Sequence, residues 1–98
     1  MEKLQTYVAS NKENMDLYTS ILPRVHGPNH PDVIEVEPLY NNLTAAVAAG
    51  DQAKVDSLFG EIRAVTHDYR IPEDACDTYK ATYKFLKQAD EMNQADSE

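Results

Sequence analysis

The sequence has no tryptophan, two phenylalanines, three glycines and a single cysteine, Cys76. One cysteine cannot close an intramolecular disulfide, which excludes a disulfide-stapled secreted scaffold and makes a reducing cytoplasm the expected compartment. Three glycines leave no phosphate-cradling loop, and neither a cysteine pair for zinc nor a His-Glu-x-x-His helix is present. The longest uninterrupted apolar stretch, Ala45 to Ala49, falls far short of the roughly 20 residues of a membrane span. The opening Met1-Glu2-Lys3-Leu4-Gln5 has no apolar signal core. Positive charge is also scarce: 9 Lys plus Arg stand against 17 acidic residues, a formal charge of -8. Nucleic acid and anionic lipid both need basic residues to displace counterions, so neither is expected as a primary partner. A chain of 98 residues allows one domain. Its core buries only about two-thirds of the unfolded surface, a limit that suits a small ligand or a protein partner better than a large cofactor.

Four stretches place apolar residues at alternating steps of three and four, the spacing of one helical face. The first reads Leu4, Val8, Asn11, Met15, Tyr18, Leu22 and Val25, with Asn11 either setting register or dividing two shorter helices. Pro23 is expected to kink its last turns and Gly27 to follow in the left-handed region. A second helix opens at Pro31, with Asp32 in its first turn and the face Val33, Val36, Tyr40, Leu43, Val47; Pro38 inside it means either a kink, the favoured reading, or a true start nearer Glu37. Gly50 ends it and Asp51 caps a third helix with the face Val55, Leu58, Phe59, Ile62, Val65. The fourth opens at Pro72, with Glu73 and Asp74 in its first turn, and buries Cys76, Tyr79, Tyr83 and Leu86. This reading makes Cys76 an inert core thiol. Residues 1–90 form the helical bundle domain, and the polar composition past Gln88 predicts a frayed acidic tail over 91–98. Six tyrosines are many for this length; Tyr18, Tyr40, Tyr79 and Tyr83 fall on inner faces, with hydroxyls left to find water or a carboxylate.

The pairs His26 and His67, Pro31 and Pro72, Asp32 and Glu73, Ile21 and Ile62, and Leu17 and Leu58 recur at one constant offset. Reuse of the same helix punctuation in two hairpins accounts for this, and either way the first and third connections of an up-down-up-down bundle share an end. His26, His30 and His67, the chain's three histidines, are therefore expected there together, as candidate binding residues. With Asp32, Asp68 or Glu73 they suit a weak divalent-metal site, though loop residues are poorly preorganised for tight coordination. Solvated loop histidines bonded to backbone are the plainer alternative.

Two segments resemble a known family. Leu22-Pro23-Arg24-Val25-His26-Gly27-Pro28-Asn29-His30-Pro31-Asp32 is similar to the Val-His-Gly-x-x-His-Pro-Glu turn of the iron-sulfur cluster repair di-iron proteins (RIC), a branch of the hemerythrin-like four-helix bundles. Ile62-Arg63-Ala64-Val65-Thr66-His67-Asp68-Tyr69-Arg70-Ile71-Pro72-Glu73-Asp74-Ala75-Cys76-Asp77-Thr78-Tyr79 resembles that family's Thr-x-x-Tyr-x-x-Pro-Glu-Asp-Ala-Cys-x-Thr-Tyr turn and helix. Together they cover roughly a third of the chain. The resemblance implies a di-iron centre held by histidines and by glutamates that follow a histidine by four on the second and fourth helices. Those pairs are missing here: the second helix runs Asn41-Asn42-Leu43-Thr44-Ala45-Ala46-Val47, and the fourth ends Glu91-Met92-Asn93-Gln94. Of the family's metal-associated positions only that of His26 is matched.

The expected fold is an all-α, up-down-up-down, hemerythrin-like four-helix bundle. The expected role is non-enzymatic: an acidic accessory or regulatory binding module in iron-sulfur or nitrosative-stress biology, with a protein partner and no cofactor beyond weak divalent metal. A metal carrier using His26, His30 and His67, and a self-associating structural domain or homodimer, are the alternatives.

Overall fold

Helix boundaries follow the punctuation of the sequence at most positions. The computed structural model describes residues 1–96 and contains α1 (Glu2–His26), α2 (Asp32–Ala49), α3 (Gln52–Val65) and α4 (Asp77–Asp96), with no strand among the described residues. Gly50 takes the left-handed conformation at φ 69° and closes α2 through its N–H, where a Cβ would be strained. Asp51 then caps α3, its side chain accepting a hydrogen bond from the Lys54 amide at 3.2 Å.

The bundle is all-α and alternates in direction. Near one end the Gln5 side chain reaches the Val47 carbonyl and the Tyr7 hydroxyl donates to Gln88. At the other, His26 meets Cys76. Helices α1 and α2, α2 and α3, and α1 and α4 pack closely, whereas α3 and α4 face each other through polar side chains. The core takes Leu4, Val8, Met15 and Leu22 from α1, and Val33, Val36, Tyr40, Leu43 and Val47 from α2. It takes Val55, Leu58, Phe59 and Ile62 from α3, and Tyr79, Tyr83, Leu86 and Ala89 from α4.

Several expectations need correction. Asn11 does not divide α1; its side chain donates to the Tyr7 carbonyl and the helix continues through Pro23 to His26. Gly27 is right-handed, at φ -53° and ψ -43°, and its value lies in space: a Cβ there would collide with the Pro23 carbonyl. Val25 is 60% exposed, because the inward stripe of α1 passes through Thr19 and His26 instead. A start of α2 nearer Glu37 is not found: the helix begins at Asp32 and runs through Pro38, which is exposed. Helix α4 starts at Asp77, not Pro72, since residues 72–75 close a turn with the Ala75 amide on the Pro72 carbonyl. Cys76 is consequently exposed and not a core thiol. A frayed tail from residue 91 is not found over 91–96: α4 continues to Asp96 because Asn93, 4% exposed, is bonded to Gln52 and Asp56. Residues 97–98 lie outside the described residues.

Leu58 is 5% exposed within the core cluster, so Leu58→Ala should destabilise the fold by about 2 to 5 kcal/mol in urea denaturation. A loss below about 1 kcal/mol would mean that the α3 face is not held in a packed core.

Candidate functional site

The end of the bundle that carries the first and third connections is joined by three side-chain contacts, each with one histidine. His26 Nε2 lies 3.1 Å from Cys76 Sγ, His30 Nε2 lies 2.9 Å from Asp74 Oδ1, and His67 Nε2 lies 3.2 Å from Asp32 Oδ2. His26 closes α1 and is 8% exposed, with its ring edge-on to Tyr79 at 5.0 Å between centroids. His30 stands edge-on to the same tyrosine at 5.8 Å. The His67 side chain is 70% exposed. All three histidines thus reach one end, as the chain order requires, but in separate pairs.

That separation corrects the expected shared metal site. Among the described residues no group of three or more His, Cys, Asp or Glu side chains converges on one point. Asp68 and Glu73, expected as oxygen ligands, are exposed, and Asp74 takes the contact with His30. Between the pairs lies a cavity of about 280 Å³ lined by His30, Asp32, Thr66, His67, Arg70, Pro72, Tyr79 and Tyr83. Burial raises the Tyr79 and Tyr83 hydroxyls above the usual tyrosine range, so both remain protonated.

The di-iron centre implied by the resemblance does not fit the core. Its buried polar side chains among the described residues are Thr19, His26, Thr66, Thr82, Asp90 and Asn93, which supply one imidazole and one carboxylate. Cys76, the partner of His26, immediately precedes α4, and Asp90 lies 14 residues further on, about 20 Å at the helical rise.

Asp90 has a different task, one the sequence reading missed. It is 2% exposed and accepts from Arg63 Nη1 at 2.7 and 2.8 Å, from the Tyr69 hydroxyl at 2.6 Å and from Gln94 at 3.0 Å. Its position was readable, since Tyr79, Tyr83, Leu86 and Asp90 continue one stripe at steps of four and three. Tyr69 reaches it from an unusual turn: His67, Asp68 and Tyr69 have φ of 52°, 60° and 64°, three successive left-handed residues without a glycine. Each such residue costs about 1 to 2 kcal/mol. The turn is held by the Thr66 hydroxyl accepting from the Tyr69 amide at 2.9 Å and by the Arg70 amide on the Thr66 carbonyl. This strained turn presents His67 to Asp32.

The chain is 22% identical to the iron-sulfur cluster repair protein ScdA of Staphylococcus epidermidis over 76% of its length. It is equally identical to ScdA of Staphylococcus haemolyticus over the same share. The chain is a distant relative of iron-sulfur cluster repair proteins. It spans about half the length of the curated relatives it matches, 48% of each. No family model matches, and no solved structure matches. No helix of the described residues is long and apolar enough to cross a membrane.

Three outcomes are expected. Asp68→Gly should stabilise the protein by about 0.5 to 1 kcal/mol, because relief of the left-handed cost exceeds the added freedom of the unfolded chain. Asp90→Ala should cost about 1 to 3 kcal/mol, chiefly by leaving the buried Tyr69 hydroxyl without its acceptor; urea midpoints measure both. The His30 imidazole holds the Asp74 carboxyl below the usual carboxylate range. A depressed folded value means that this contact contributes above the unfolded value near 4 and is lost as pH falls through the folded value. Carboxyl chemical shifts should show Asp74 titrating low and returning upward in His30→Ala; no change on that substitution would refute the pairing.

Proposed function

We propose that this chain is a non-enzymatic accessory or regulatory binding module in iron-sulfur cluster repair, working in a reducing cytoplasm and engaging a protein partner. The observation that carries the reading is similarity to iron-sulfur cluster repair proteins across three quarters of the chain, in a bundle whose core, among the described residues, lacks the donors of a di-iron site. The motif-bearing turns lie at one end, where His26, His30 and His67 each join the two connections. In this reading the loop end recognises its target by shape and hydrogen bonding, and fold kinship supplies context without supplying chemistry.

Anaerobic reconstitution with ferrous iron followed by air should give no stoichiometric di-iron uptake and no near-ultraviolet oxo-bridge band. A host strain lacking the chain should recover iron-sulfur enzyme activity more slowly after nitric oxide exposure. The wild type should restore the rate, and His26→Ala/His67→Ala should not. Unchanged recovery in the deletion strain would refute the role, and stoichiometric di-iron loading would refute the metal-independent mechanism.

A further inference from the structure

We propose that the outer face shared by α1 and α4 docks an acidic amphipathic helix from a partner protein. This surface is separate from the loop end. Helix α1 carries a second apolar stripe besides its core stripe: Leu17, Ile21 and Val25, at steps of four, are 55%, 37% and 60% exposed. An outward helix face is normally polar, so three aliphatic side chains in register there leave apolar surface uncovered.

Helix α4 lies antiparallel beside α1, tied by Tyr7 to Gln88 near one end and by His26 to Cys76 at the other. Its outer face carries Lys80, Lys84 and Lys87 at steps of four and three, all exposed. None of the three is in an ion pair among the described residues. Arg24, also exposed, sits on α1 between Ile21 and Val25. Six of the chain's nine basic residues lie on this helix pair, these four on its outer face, in a protein of formal charge -8. Among the described residues the exposed acids of the pair are Glu2, Glu13 and Asp16 on α1, the last already paired with Lys12 at 2.7 Å, and Asp77 and Glu91 on α4; none lies between Lys80 and Lys87.

An aliphatic row flanked by cations fits a helix with apolar anchors at matching steps and carboxylates beside them. Leu17 to Val25 spans about 12 Å, enough for two to three turns of a partner helix. A second copy is a poor occupant, since a two-fold contact sets the same patch against itself and brings these cations together. Extended polyanions are disfavoured by the overall charge, whose repulsion acts over the whole surface, whereas a short acidic helix meets mainly the local field within about 8 to 10 Å.

The test uses the full chain, labelled with nitrogen-15, and a synthetic peptide of about 18 residues, roughly five helical turns. The peptide carries leucines at steps of four flanked by glutamates; a composition-matched scramble is the control. Shift changes should be confined to residues 17–25 and 77–88, and binding should weaken with salt. Affinity should fall about tenfold or more for the scramble, for Lys80→Glu/Lys84→Glu and for Leu17→Ser/Val25→Ser. These residues are exposed, and circular dichroism should show an unchanged fold. Equal binding of the scramble, shifts elsewhere, a doubled mass by light scattering without peptide, or preferential binding to phosphatidylserine vesicles would each overturn the proposal.

Discussion

The buried carboxylate of Asp90 is the contact on which the second half of the bundle depends. Helices α3 and α4 do not pack backbone to backbone; Asp90 bridges them through Arg63 and draws in Tyr69 from the connection between them. A carboxylate at 2% exposure persists only when its acceptor sites are filled, and here a guanidinium, a phenol and an amide fill them. A neighbouring polar cluster extends the bridge, with Asp56 accepting from Gln52 and Asn93. Those two hydrogen bonds, Asn93 first, hold the Asp56 carboxyl below its usual range. The interface is held by polar geometry, whereas the other helix pairs also pack closely against one another.

This anchor reaches the candidate site through the backbone. With its hydroxyl on Asp90 and its amide on Thr66, Tyr69 is fixed at both ends. The two residues before it share its left-handed conformation. Such strain survives only where the surroundings over-determine it. It turns the chain so that His67 meets Asp32 at the start of α2. The loop end is therefore held from two directions, by the polar bridge between α3 and α4 and by three histidine contacts between the connections.

Much of the fold was legible because helix punctuation is local. Pro31, Gly50 and Asp51 mark boundaries through φ, handedness and capping, none of which needs a distant partner. The shared end of the three histidines followed from chain order alone. What was not legible depended on tertiary contacts. Cys76 fits the periodicity of α4, yet the turn at 72–75 starts the helix later and leaves the thiol outside, against His26. The polar run after Gln88 looked unable to bury anything, but Asp90 and Asn93 are buried because α3 supplies their partners. Pairing also decided the histidines: each found a different group across the connections, so proximity in topology did not become convergence on one ion.

A distant relation at 22% identity carries the fold further than the chemistry. Turns are retained when they set the geometry of connections, whereas a metal centre requires a full set of donors aimed at one point. Here Tyr40, Leu43, Phe59 and Leu86 fill the interior, and the Tyr40 hydroxyl leaves the core to donate to Asp16 at 2.8 Å. Burial, with Asp16 as acceptor, keeps that phenol protonated well above the usual range. In the proposed role, recognition uses the outside of the bundle, at the joined loops or along the α1 and α4 face, where exposed aliphatic and cationic groups stand.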